Sequence, residues 1–84
     1  MYGLTMANQD AICDHIVAKL SNKLHEVRED KNISKNELSQ RSGVSRAAIR
    51  RIEEGQRSPS LYILLMLCKA MDITLWELLK EVEK

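Results

Sequence analysis

Apolar and polar positions alternate along this chain with helical spacing. Between Asn8 and Lys31, Ile12, Ile16, Leu20 and Leu24 recur four apart, with Val17 and Val27 filling the same face. That is the 3.6-residue period of an amphipathic helix, and no Gly or Pro interrupts it. Asn8 is the expected N-cap, with Asp10 in the first turn, and Asn32 can adopt the left-handed conformation that ends a helix. One continuous helix is expected; Ser21 and Asn22, weak helix formers, mark the place where the alternative, a break, would fall.

Ser34 and Glu37 have capping-box spacing, in which the hydroxyl accepts from the Glu37 amide while the carboxylate reaches back to the Ser34 amide. The helix they start must be short, because Gly43 follows within two turns and supplies the positive φ of a sharp turn. Ser45 caps a third helix that buries Ile49 and Ile52, turns Arg46, Arg50 and Arg51 elsewhere, and stops at Gly55. Gln56 to Ser58 form a polar, basic loop closed by Pro59. Ser60 then caps the apolar run Leu61 to Met71, expected to be the most buried helix. After a turn at Asp72, Thr74 and Glu77 repeat the capping-box spacing ahead of Leu75, Trp76, Leu78, Leu79 and Val82. The pattern predicts an all-α chain of five helices, with Met1 to Ala7 as a frayed end.

Composition agrees with packed helices. Apolar residues make up 44% of the 84, yet none is Phe and only three are aromatic, so the core is aliphatic. One Pro and three Gly leave too little turn chemistry for a many-stranded fold. A chain of this length suggests one domain over residues 1–84, with an N-terminal extension at 1–19, the helix-turn-helix at 34–54 and C-terminal helices at 60–84. No apolar run approaches the ~20 residues that span a bilayer, and the first dozen residues lack a signal-peptide pattern, so a cytoplasmic protein without membrane contact is expected. Cys13 and Cys68 read as reduced core or interface thiols. The net charge of +1 is uninformative, but its distribution is not. Residues 35–58 carry six basic side chains against three acidic ones, whereas the flanking segments are each net −1.

A short helix, a Gly turn and a second short helix showing basic groups outward form the helix-turn-helix design, here Lys35 to Ile52. Leu38, Val44, Ile49 and Ile52 would lock the pair, and Ser39 is small where the helices approach. The run Glu37-Leu38-Ser39, Gly43-Val44-Ser45, Ile49, Ile52-Glu53, Gly55, Pro59-Ser60-Leu61, Leu64-Leu65 and Ile73 to Leu78 resembles the Cro/CI-type (Xre) helix-turn-helix family, which includes the lambdoid phage repressors. The resemblance covers residues 20–80. It departs at Lys35, Ser39 and Asp72, where the family often has Gln, Ala and Gly, and in an N-terminal pattern that starts about a dozen residues before the family's first helix.

The resemblance implies a five-helix, lambda-repressor-like DNA-binding domain with an extended N-terminal helix. Carried over by position, it implies base contacts from Ser45, Arg46, Ala47, Arg50 and Arg51. It further implies phosphate contacts from Lys35, Gln56, Arg57 and Ser58, and a structural salt bridge between Arg28 and Glu53. The bland alternatives are a solvated arginine face and two unpaired surface charges. Arg46 and Arg50, one helical turn apart, repel mildly and so call for an anionic partner. The partner implied is double-stranded DNA, bound by a homodimer acting as a transcriptional regulator, most simply a repressor. An antitoxin or a restriction-modification controller has the same fold.

Two apolar surpluses fall outside the resemblance. Ile12, Ile16 and Cys13 extend the first helix's apolar face, and Tyr62, Ile63 and Met66 are apolar where the family's fourth helix is usually polar. We expect the extension to pack on helix four, within one chain or across a dimer, with Trp76, Leu79 and Val82 of helix five as a further dimer contact. The alternative is scattered surface apolar residues. A protein partner on this patch, without DNA binding, is the reading from another functional class. Cys13, His15, His25 and Cys68 lack zinc-site spacing, and neither a phosphate-binding Gly loop nor a nucleophile elbow occurs, so no enzyme activity and no cofactor are expected.

Overall fold

The computed structural model describes residues 6–82. Five helices follow one another: α1 (Met6–Asp30), α2 (Lys35–Ser42), α3 (Arg46–Glu53), α4 (Leu61–Ala70) and α5 (Leu75–Val82). There are no strands among the described residues. The N-terminal helix is continuous through Ser21 and Asn22. It begins before Asn8, so Asn8 lies inside α1 and not at its cap, and Asp10 lies beyond the first turn. Of the expected frayed end, residues 1–5 lie outside the described residues, while Met6 and Ala7 already belong to α1.

Local chemistry accounts for most helix ends. Asn32 and Asp72 are left-handed, with φ of 57° and 58°. Around each, the next amide reaches back five residues: Ile33 N–H donates to the Arg28 carbonyl and Ile73 N–H to the Cys68 carbonyl. Gly55 closes α3 in the same way, with Gln56 N–H on the Arg51 carbonyl. Thr74 and Glu77 form a complete capping box, each side chain accepting from the other's backbone amide. Only half of the Ser34–Glu37 box forms. Ser34 Oγ accepts from the Glu37 amide, but the Glu37 carboxylate turns along the helix to Arg41, because a cation one turn on competes for it.

The core is one aliphatic cluster with contributions from all five helices, including Leu20, Leu24, Leu38, Ile49, Ile52, Leu67, Met71, Leu78 and Val82. α1 packs on α3 and α5, and α4 packs on α2 and α5. Backbone neighbours of α1 do not include α4, so within one chain the extension does not lie on α4's outer face. Its predicted residues divide instead. Ile16 is half-buried against the core, whereas Ile12 is 45% exposed. Contrary to expectation, α4 is not the most buried helix: Leu61, Tyr62 and Leu65 are exposed, and only Leu64, Leu67 and Cys68 are buried. An unbroken apolar run carries no period to say which side faces out. Met66 and Leu79 are partly buried against the core, and Trp76, like Tyr62, is 71% exposed. Both cysteines are free thiols; Cys13 is exposed and Cys68 is buried, which pushes its thiol pKa up.

Candidate nucleic-acid interface

The helix-turn-helix pair is positioned by three short-range devices. Gly43, at φ 80°, ends α2 with its amide on the Ser39 carbonyl. A Cβ added there would meet nothing within 4 Å, so the site favours glycine for its backbone conformation and not for space. Val44 is buried immediately after the turn, pinning it to the core. Ser45 Oγ then accepts from the Ala48 amide at 3.1 Å and starts α3. The Ser45 hydroxyl is therefore committed as an acceptor to its own helix and keeps only its proton to offer outward.

α3 has two unlike sides. Ala48, Ile49 and Ile52 are buried, and the Glu53 carboxylate is 6% exposed. Ser45, Arg46, Ala47, Arg50 and Arg51 are all exposed. Helical spacing puts Arg46, Arg50 and Glu54 on one stripe and Ala47 and Arg51 on the next. Lys35, at the start of α2, joins Arg46, Ala47 and Arg50 around a concavity of about 340 Å³. Gln56, Arg57 and Ser58 are exposed in the loop after α3. Of the predicted contact residues, Lys35, Arg46, Ala47 and Arg50 are thus brought together at one concavity, while Ser45, Arg51, Gln56, Arg57 and Ser58 are exposed along α3 and its following loop. Arg50 is partnered there: its Nη1 lies 3.4 Å from Glu54 Oε1. Lys35, Arg46, Arg51 and Arg57 have no acidic partner among the described residues.

Behind this surface a polar cluster ties α1 to the end of α3. Arg28, 5% exposed, donates from Nε to Glu53 Oε2 at 2.7 Å and from Nη2 to Oε1 at 3.0 Å. Its Nη1 donates to the Ile33 carbonyl at 2.8 Å, beyond the end of α1. His25 completes the cluster, its Nδ1–H donating to Glu53 Oε1 at 2.9 Å. Burial pushes the Glu53 pKa up, but hydrogen bonds and charge from Arg28 and His25 outweigh it, and the net shift is downward. Sequence reasoning missed His25, whose partner lies 28 residues away. No group of three or more His, Cys, Asp or Glu among the described residues could hold a metal ion. No helix among them is long and apolar enough to cross a membrane.

Comparison with known proteins agrees with this geometry. The sequence matches the helix-turn-helix family over residues 24–78. No curated protein matches it by sequence. Among solved structures, it is similar to the restriction-modification controller protein C.AhdI from Aeromonas hydrophila, at 38% identity and a TM-score of 0.70, over 75% of this chain and 94% of that one. It is also similar to the clp gene regulator ClgR from C. glutamicum, at 27% identity and a TM-score of 0.75, over 80% of this chain and 86% of that one. With residues 24–78 inside the family match and the turn, caps and exposed basic helix all present, this chain belongs to the Cro/CI-type helix-turn-helix family of DNA-binding transcription regulators.

Proposed function

We propose that the protein is a sequence-specific repressor that binds a pseudo-palindromic duplex site as a homodimer. The observation that carries this reading is the division of α3, whose apolar residues are buried while Arg46, Ala47, Arg50 and Arg51 are exposed. A helix anchored on one side and basic on the other fits the major groove. Arg46, at the helix start, would donate twice to the O6 and N7 acceptors of guanine, and Arg51 would reach a neighbouring pair. Ser45 would donate its proton, and Ala47 would allow close approach or touch a thymine methyl. Lys35, Gln56, Arg57 and Ser58 would hold phosphates and set the docking angle.

A single helix makes few contacts, so a two-fold pair on two half-sites one helical turn apart is the economical arrangement. The exposed Tyr62 of α4 and Trp76 of α5, and the partly buried Met66 and Leu79, are apolar side chains available for that contact. Ile12 and Ile16 of the extension would reach the partner copy. Selection from random duplexes tests the reading: an enriched palindrome is expected, and no enrichment even at low salt would overturn it in favour of a protein-interaction module. Sedimentation at micromolar concentration should show a dimer, and a monomer would remove the two-fold part.

The 38% identity to a restriction-modification controller protein favours one particular version of this function, an autoregulating controller of its own operon. A restriction or methyltransferase gene beside this one is the observation expected. An antitoxin role would instead place a toxin gene there.

A further inference from the structure

The exposed stripe of α3 reads Arg46, Arg50, Glu54 from its first turn to its end. Like charges one turn apart repel and opposite charges attract, so Arg50 favours Glu54 over Arg46, and its Nη1 lies 3.4 Å from Glu54 Oε1. The pair is about half exposed, at 48% and 44%, so solvent screens it and it adds little to the stability of the fold. Its effect lies in the field the helix presents. Between Ser45 and Ser58 the acidic residues are Glu53 and Glu54. Glu53 is turned inward to Arg28 and His25, which leaves Glu54 as the one carboxylate on the outward side of this segment.

We infer that Glu54 is a specificity-determining residue: it holds the Arg50 guanidinium off the phosphate backbone and so suppresses attachment to non-cognate duplex. The inference deepens the duplex-binding reading above and rests on it. Non-specific binding scales with the number of phosphates that cations neutralise and with the counterions they release. An arginine held by its own carboxylate releases none. At a cognate base pair, a fixed two-point contact to guanine replaces the Glu54 contact. On random sequence no such contact is available, and Arg50 stays where the structure has it.

The test is Glu54→Gln, which keeps the side chain's shape and removes its charge at an exposed position. Binding of the full chain to a random-sequence duplex is followed by fluorescence anisotropy between 50 and 200 mM salt. We expect the slope of log affinity against log salt to steepen by about 0.9, the value for one further phosphate, so that affinity falls about 3.5-fold more across that range. In an Arg50→Ala background the same substitution should leave the slope unchanged. An unchanged slope in the otherwise wild-type chain would overturn the inference, as would equal steepening with and without Arg50. A wild-type chain that binds no duplex at 50 mM salt would overturn the duplex reading itself, a failure visible before any variant is made.

Discussion

Arg28 and Glu53 meet across 25 residues of chain, the guanidinium gripping both carboxylate oxygens at 2.7 and 3.0 Å. Both side chains are almost wholly buried. The pair joins α1 to the last residue of α3, so it fixes the end of the basic helix against the body of the molecule. Such a contact specifies packing more than it adds net stability, because removing two charges from water costs about as much as their attraction returns.

Breaking it from one side should be costly. Arg28→Met leaves Glu53 buried with His25 alone and deprives the Ile33 carbonyl of its donor, so urea denaturation should show a loss of about 3–5 kcal/mol. Replacing both Arg28 and Glu53 by Met should lose less than Arg28→Met alone. A double variant weaker than either single one would contradict the pairing.

Glu53 also sets an acid limb. Its pKa is lowered in the folded state, burial being outweighed by Arg28 and His25. Its contribution is therefore fully present above the unfolded carboxyl value of about 4.3 and is lost as pH falls through the lower folded value. In Glu53→Gln, stability between about pH 5 and 3 should fall less steeply than in wild type. Parallel acid limbs for the two proteins would exclude this assignment.

What the sequence revealed and what it concealed divide by range. Gly43, Ser45, Gly55, Ser60 and Asp72 were legible because a turn or cap is decided within about four residues, and each carries out its local role. Glu37 misleads for the same reason of locality: its spacing from Ser34 matches a capping box, but Arg41 one turn further on is the stronger partner. His25 was invisible because nothing near it in the chain foretells Glu53. α4 misled because its apolar run hides its orientation, and Leu61, Tyr62 and Leu65 ended outside. The arginines of α3 were readable as outward, but the Glu54 contact that engages Arg50 was not foreseen.

Ser21 offers a stabilising change. It is 2% exposed within α1, and its hydroxyl has no hydrogen-bond partner in the structure. A buried unsatisfied hydroxyl costs about 1–3 kcal/mol, and Ala is also the better helix former. Ser21→Ala should raise the melting temperature by several degrees. A lower one would mean that the hydroxyl is satisfied in solution.

Gly43 should resist substitution despite the open space around it. Because its φ is 80°, Gly43→Ala forces a left-handed conformation on an L side chain, at about 1–2 kcal/mol. The loss should appear in the denaturant midpoint without a change in slope. A fully tolerated alanine would mean that the turn can be rebuilt with negative φ.

The two kinds of proposed DNA contact predict different defects. Arg46→Ala removes a base-reading donor and should relax preference at one base pair of each half-site, with about 1–3 kcal/mol of discrimination lost there. Arg57→Ala removes a phosphate contact and should weaken binding to all sequences alike, flattening the salt slope by about 0.9. Ser45→Ala cannot separate these effects, because its hydroxyl caps α3 and its loss would also cost about 1 kcal/mol of stability. Repeating the random-duplex selection with the Arg46 and Arg57 variants distinguishes the roles, since only the first should change the enriched sequence. If the two variants enrich the same altered site, or both leave it unaltered while weakening all binding equally, then α3 docks in some other orientation and its base-reading residues must be sought elsewhere along its exposed side.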